Sequence, residues 1–321
     1  MRKDGVPRSQ FNAKSTAEDV TAGLDLTGKV ALVTGCTSGI GFETMRVLAM
    51  RGASVIGTSR SLEKARAAGD RVEGATVPLQ LELSDFQSVV KCAESVRSLH
   101  SSLDMLICNA GFLGGSGQRS LVNGVEKHFV VNHLGHFVLV NRLLDRLSGS
   151  RQGRVVVVAS GMAYSDAPAS GIQFDDLALA QGYRDRRAYA HSKLANVLFS
   201  LELSRRLRGS RVTSNSLHPG MINTEIDRHM NRFMQFGFRI FAGIFGKSIE
   251  EGAATNCFVS TSPLLSTTSG RYFENCNAVS ITGNHHMQDE SMAARLWQMS
   301  EELTKDYLVA HGLPELQSMA H

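Results

Sequence analysis

The chain is short of the features that mark several large protein classes. Its five cysteines (36, 92, 108, 257 and 276) are odd in number, widely spaced and without a Cys-x-x-Cys pair. Neither a disulfide framework nor a zinc site is signalled, and no metal is expected; reduced thiols in a cytoplasmic compartment fit this usage. No stretch of about 18 consecutive apolar residues occurs, so no helix is expected to span a membrane. Charge of neither sign dominates: 34 Lys and Arg stand against 30 Asp and Glu, a net +4. The basic residues are scattered and form no stripe interleaved with aromatics, which removes nucleic acid as a partner. Residues 1–28 lack an apolar stretch, so no secretory signal is read there, and Asp4, Glu18 and Asp19 weigh against a transit peptide. Residues 1–24 are expected to form a loosely held arm. There is no repeat of fixed period and no low-complexity tract.

What is present is an ordinary globular composition, 42% hydrophobic and 20% charged over 321 residues, enough to bury one large core. Strand-like apolar runs alternate with helical spacing. Strands are expected at Lys29–Val33, Ser54–Thr58, Thr76–Leu83, Leu103–Cys108, Arg154–Ala159 and Arg211–Leu217. Helices are expected at Phe42–Arg51, Ser61–Ala68, Asp85–Leu99, Leu121–Leu147 and Tyr189–Arg208. The four consecutive valines 155–158 suit a strand covered on both faces. Such alternation means parallel strands with right-handed crossovers. The expected fold is therefore α/β, a single-domain doubly wound parallel sheet of Rossmann type. It would have about seven strands with helices on both faces and a ligand at the strand C-termini. The domain is expected over residues 25–311, with a C-terminal tail at 312–321.

Two segments about 150 residues apart carry the chemistry. Thr34-Gly35-Cys36-Thr37-Ser38-Gly39-Ile40-Gly41 follows the run Val30–Val33 and opens a helix. Gly35, Gly39 and Gly41 let backbone approach phosphate with no Cβ in the way, and strand, turn and helix N-terminus together make a pyrophosphate pocket. The spacing is Gly-x-x-x-Gly-x-Gly, and the absence of Lys-Ser or Lys-Thr after it excludes a P-loop. At the tip of the second strand stand Ser59 and Arg60 where an acid would bind a ribose 2′-hydroxyl. A guanidinium there matches a 2′-phosphate, favouring NADP(H) over NAD(H), with a solvated surface arginine as the lesser alternative.

The second segment is Tyr189-Ala190-His191-Ser192-Lys193. A tyrosine with lysine four residues on places phenol and ammonium on one helical face. The ammonium is expected to lower the phenol pKa and let it trade a proton near neutral pH. Tyr183, with Arg187 four residues on, is a decoy. Phenol, amine and dinucleotide pocket together suggest hydride transfer between a nicotinamide and an alcohol or carbonyl.

At this point the residues resemble the short-chain dehydrogenase/reductase family. Thr34-Gly35-x-x-x-Gly39-Ile40-Gly41, Asn109-Ala110-Gly111, Tyr189-x-x-x-Lys193 and Pro219-Gly220 fall in the family's order. Val131–Phe137 (VNHLGHF) and His191–Asn196 (HSKLAN) resemble its retinol-dehydrogenase-like and WW-domain-oxidoreductase-like branch. The resemblance runs from about Asp25 to Thr224, and more weakly to about residue 300. It implies that Asn132 holds a proton-relay water, Ser160 bonds the substrate oxygen, Tyr189 is the acid/base and Lys193 binds the nicotinamide ribose. It also implies that Asn109, Ala110 and Gly111 line the cofactor cleft, that Ile222 contacts the carboxamide, and that Thr224 sits near the nicotinamide end. Two positions depart from the pattern: Glu82-Leu83-Ser84 replaces the usual aspartate near the adenine, and Cys36 stands where NADP-preferring members often carry a basic residue.

Alternatives accompany several of these residues. Ser160 could be a strand-end cap, and Asn132 a buried asparagine or a local kink in its helix. His133, His136 and His191 read as packing or surface residues. Ser160 lies 29 residues before Tyr189, a long interval that makes the loop with Phe174-Asp175-Asp176-Leu177 an insertion over the cleft. Between 225 and 250 an amphipathic stretch holds five of the 15 phenylalanines mixed with Arg228, Arg232 and Arg239. A lid over a lipophilic substrate, a subunit contact in a homo-oligomer and a peripheral membrane contact all fit it. The leading expectation is an NADP-dependent carbonyl reductase or alcohol dehydrogenase. The alternative is a non-catalytic NADP(H)-sensing subunit.

Overall fold

The computed structural model describes residues 6–221, 246–280, 283 and 285–308. Its frame is a run of short strands, most of them buried: Val30–Val33 (β1), Ser54–Ser59 (β2), Thr76–Gln80 (β3), Met105–Cys108 (β4), Arg154–Val158 (β7), Thr213–His218 (β8) and Tyr272–Glu274 (β9). All of them pair in parallel, and a short antiparallel strand Asn277–Ala278 (β10) completes an eight-stranded sheet in the order β10-β9-β8-β7-β4-β1-β2-β3. Residues 154–158 are buried throughout and lie mid-sheet, as their unbroken apolar run requires. Pro78, which has no N–H to donate, sits on the outermost strand, β3.

Helices cover both faces. Phe86–Leu99 (α4), Gly135–Ser148 (α6), Asp185–Arg206 (α8) and Glu290–Thr304 (α10) pack on one side around Phe137, Phe199 and Trp297. Gly39–Met50 (α2) and Ile249–Thr261 (α9) pack on the other around Met45, Leu48 and Phe258. Leu62–Gly69 (α3) follows β2. The chain runs β1 to β3 in one direction, then returns to place β4 on the far side of β1. The order therefore reverses between β1 and β4, and the crevice at their C-terminal ends is where such sheets take ligands.

Two expectations are corrected. The helix expected over 121–147 begins instead with a hairpin, Leu121–Val122 (β5) paired with Val125–Glu126 (β6). Asn123 and Gly124 turn it with φ of 51° and 80°, the left-handed pair that a two-residue hairpin demands. After it come one turn, Lys127–Phe129 (α5), and a π-helical turn, Val130–Leu134, before α6. The eight strands agree with the about seven expected; β9 and β10, joined at Asn275-Cys276, are too short for an apolar period to reveal.

The second correction concerns the N-terminal arm, which for residues 6–24 is not loose. Thr16 and Asp19 form a reciprocal cap on a short helix, Ala17–Val20 (α1), and Val6, Ala17 and Val20 are buried. Arg46 holds Glu18 at 2.6 Å, and the amide of Ser9 donates to Asn277 Oδ1 at 3.0 Å. The boundary expected at residue 25 thus cuts through one packed unit. The 312–321 tail, and the 225–250 segment up to residue 245, lie outside the described residues.

Deleting residues 2–24 should lower the denaturant midpoint, costing about 2 kcal/mol or more from the lost apolar contacts. An unchanged midpoint would restore the loose arm.

Candidate active site

The site is built where β1 and β4 end. Thr34, the last buried residue of the β1 run, is the joint: its Oγ1 accepts the amides of Asn109 and Ala110, each at 2.9 Å. Both lone pairs are then occupied, so the hydroxyl proton goes to His136 Nε2, 2.9 Å away on α6. His136 must therefore carry its proton on Nδ1, which donates to the backbone oxygen of Asn132 at 3.0 Å. Asn109 Nδ2 returns to Thr34 O at 2.9 Å. Strand β1, strand β4 and the π-turn are thereby locked to one another.

The glycine turn fits a dinucleotide. Gly35 and Gly39 have φ of 74° and 59°, and a Cβ on Gly41 would strike Gly35 O and Asn109 Nδ2. Ser38, the N-cap of α2, makes no side-chain cap bond, so the first amides of this 12-residue helix face the crevice without a side-chain acceptor. Thr37, Ser38 and Ile40 line the same turn and are exposed or half-buried, whereas Cys36 points into the core and bonds Val33 O at 2.9 Å. Burial pushes the Cys36 thiol up to about 12. The position expected to carry a base therefore faces inward.

At the tip of β2, Ser59 is half-buried and Arg60 is exposed. The Arg60 guanidinium has no ion-pair partner among the described residues. Glu82 is committed locally, its Oε1 taking the amide and hydroxyl of Ser84 at 3.0 and 2.7 Å. Leu83 is buried against Gly135, where a Cβ would collide with Leu83 O.

The four residues expected to act together converge in two connected groups. Tyr189 is half-buried on α8, with the Ser160 side chain at the end of β7 near enough to pull on its hydroxyl. Lys193, one turn on and buried, donates to the Val158 carbonyl at 2.9 Å, with its Nζ 5.4 Å from the Tyr189 ring centre. Asn132 takes the Phe112 amide at 2.7 Å and donates to Phe112 O at 3.0 Å and to Ser192 Oγ at 2.9 Å. A Cβ on Gly111 would lie 3.4 Å from Lys193 Nζ and 3.8 Å from Asn132 Oδ1, so the groups meet at Asn109-Ala110-Gly111. Pro219 is buried, and Gly220 (φ 101°) lies under the Lys247 side chain. Ile222 and Thr224 lie outside the described residues.

One electrostatic expectation is reversed. Burial pushes Tyr189 up to about 12, against a smaller pull from Ser160, while burial brings Lys193 down to about 8. The amine spends its nearest bond on a carbonyl rather than on the phenol. The phenol is thus held as an acid at neutral pH.

Sequence reasoning missed several partners. The histidines read as packing or surface residues are all buried with specific bonds: His136 as above, His133 to Ser300 Oγ at 2.8 Å, and His191 Nε2 to the Gln173 amide at 3.0 Å. The last of these pins the inserted loop, whose Leu177 O takes the Glu126 amide at 2.9 Å. Ser192, adjacent to Lys193, holds Asn132. Tyr183 bonds Asp185 at 2.6 Å, away from the site.

Comparison with known proteins agrees with this geometry. A family model described as short chain dehydrogenase matches residues 29–171. The chain is 38% identical over 310 residues to the chloroplastic short-chain dehydrogenase TIC 32 A of Brassica napus, covering 93% of this chain and 95% of that one. It is 37% identical over 288 residues to retinol dehydrogenase 11 of Homo sapiens, covering 88% of each. Among solved structures, a candidate NAD(P)-dependent gluconate 5-dehydrogenase from Beutenbergia cavernae, with NADP bound at low occupancy, superposes with a TM-score of 0.60. That pair is 25% identical and covers 78% of this chain and 95% of the other.

Four histidines, 133, 136, 191 and 218, are lowered by burial to about 3, 4, 4 and 4. Below about pH 6.5 the unfolded chain takes up these protons while the folded chain resists until about pH 4. Their contribution is complete above the unfolded value and is lost as pH falls through that window, by about 1.4 kcal/mol per histidine per pH unit at most. Urea midpoints between pH 7 and 4.5 should fall steeply, and His133→Asn should flatten the slope; a flat profile in the parent protein would contradict the assignment of neutral buried rings.

Proposed function

The chain belongs to the short-chain dehydrogenase family of oxidoreductases, and from that premise we propose that it transfers a hydride between NADP(H) and an alcohol or carbonyl, acting as a reductase on a largely apolar aldehyde or ketone. The observation that carries this reading is Tyr189 placed beside Ser160, one helical turn from a buried Lys193 whose Nζ lies 5.4 Å from the Tyr189 ring centre. When bound, the nicotinamide supplies the hydride. Tyr189 donates its proton to the substrate oxygen, and a phenol kept protonated at neutral pH is the form a reduction needs. Ser160 holds the same oxygen. Lys193, anchored on Val158 O and facing Gly111, holds the ribose and resupplies the proton. Asn132, fixed by Phe112 and Ser192, maintains the relay behind it.

The preference for NADP(H) is supported by Arg60 at the β2 tip, which has no ion-pair partner among the described residues, and by the absence of an acid there; a 2′-phosphate is the group such a guanidinium recognises. The apolar substrate is supported by the phenylalanine-rich sequence between 225 and 250. A cytoplasmic, reducing compartment is supported by five free cysteines, all buried. No helix among the described residues is long and apolar enough to cross a membrane.

Tyr189→Phe should lower kcat by about 10²–10⁴ while NADPH still binds, read by cofactor fluorescence; turnover at the parent rate would end the acid/base assignment. Arg60→Ala should raise KM for NADPH by about 10–100-fold, with a far smaller change for NADH. Equal effects on both cofactors would remove the 2′-phosphate reading.

A further inference from the structure

One cluster of polar side chains beside the site has no part in the hydride step. Tyr164 stands on the short helix Met162–Ser165 (α7) immediately after Ser160, and its hydroxyl donates to Glu274 Oε1 on β9 at 3.2 Å. Tyr272, two residues earlier on the same strand, is buried, and its hydroxyl has no hydrogen-bond partner among the described residues. His218 ends β8. Its Nδ1 is buried without a hydrogen-bond partner, and neither ring nitrogen has one among the described residues. These groups converge on the residue next to Ser160: a Cβ on Gly161 would lie 3.3 Å from Tyr164 Oη and 3.4 Å from His218 Nε2. Tyr164, Glu274 and His218 are each half-buried.

We propose that Tyr164, His218 and Glu274 form a subsite for a hydroxyl group on the substrate, a second polar handle set apart from the reacting carbonyl. This rests on the reading of Ser160 and Tyr189 as the residues that hold the reacting oxygen. The chemistry selects the ligand class. Tyr164 has given its proton to Glu274 and keeps its lone pairs free. His218, held neutral because burial and then the Lys247 and Lys193 charges bring it down to about 4, offers one donor and one acceptor nitrogen. Such a set both gives and takes a hydrogen bond, which suits an alcohol. An anion would face the Glu274 carboxylate. An ammonium would find no carboxylate of ordinary acidity, because burial raises Glu274 against the smaller pulls of the Tyr164 hydroxyl and the Lys247 charge. If the carboxylate served only to tie α7 to β9, the orphaned imidazole facing the same glycine would have no purpose. The substrate expected is an otherwise apolar carbonyl compound carrying a hydroxyl.

The test uses two aldehydes of similar size, 4-(hydroxymethyl)benzaldehyde and 4-ethylbenzaldehyde, with the NADPH-saturated enzyme. The parent enzyme should favour the hydroxylated member by about tenfold in kcat/KM, expressed through KM. Tyr164→Phe and Glu274→Gln should each bring that ratio close to one, an effect that loss of a merely structural contact would not produce because both aldehydes would suffer alike. A ratio near one in the parent, or one that survives both substitutions, overturns the subsite. Calorimetric titration of the NADP⁺ complex with 1,4-benzenedimethanol and with 4-ethylbenzyl alcohol separates this proposal from the catalytic reading. A retained preference in binding without turnover of either aldehyde supports the subsite and counts against the reductase; no preference in binding overturns the subsite whatever the turnover.

Discussion

The Thr34 hydroxyl is the constraint on which the site depends. One oxygen, fully buried, takes two amides from the end of β4 and gives its proton to an imidazole on α6. A buried oxygen with every bond satisfied has one low-energy orientation, and losing any partner would expose an unpaired group in a dry interior. Because β1 and β4 flank the point where the strand order reverses, fixing their ends fixes the mouth of the crevice. The glycine turn hangs from one side of this joint, and Asn109-Ala110-Gly111 from the other. His136 extends it to the π-turn that carries Asn132.

The π-turn explains how an asparagine is tolerated inside a helical stretch. Wide turns of this kind interrupt the regular ladder and recur at functional positions. Here the altered pitch lets the Asn132 side chain clasp the Phe112 backbone and Ser192 at once. The side chain therefore bonds outward rather than competing with its own helix, the usual reason asparagine weakens one.

What could be read from the sequence was local in the chain. The glycine turn, the Tyr189–Lys193 spacing and the valine run each hold their meaning within a few residues, and the architecture followed from their alternation. The Asn123-Gly124 turn was equally local, but an apolar period running through 121–147 hid it. The remaining features were inaccessible for another reason: Thr34 and His136 are 102 residues apart and Tyr164 and Glu274 are 110 apart, and nothing in either neighbourhood announces its partner. The direction of the Tyr189 shift was misjudged for a related reason. Spacing places phenol and amine on one face, but which carbonyl the amine prefers depends on how β7 passes beneath it.

The clasp between the first residues and the last short strand bears on what can approach the sheet from that side. Asn277 on β10 already receives the Ser9 amide and donates to Phe11 O at 2.9 Å. An outermost strand ordinarily offers bare amides and carbonyls to any passing chain. Here the segment around Ser9 and Phe11 grips the Asn277 side chain at that margin, so a stranger seeking to add itself there would meet a strap already fastened across the corner.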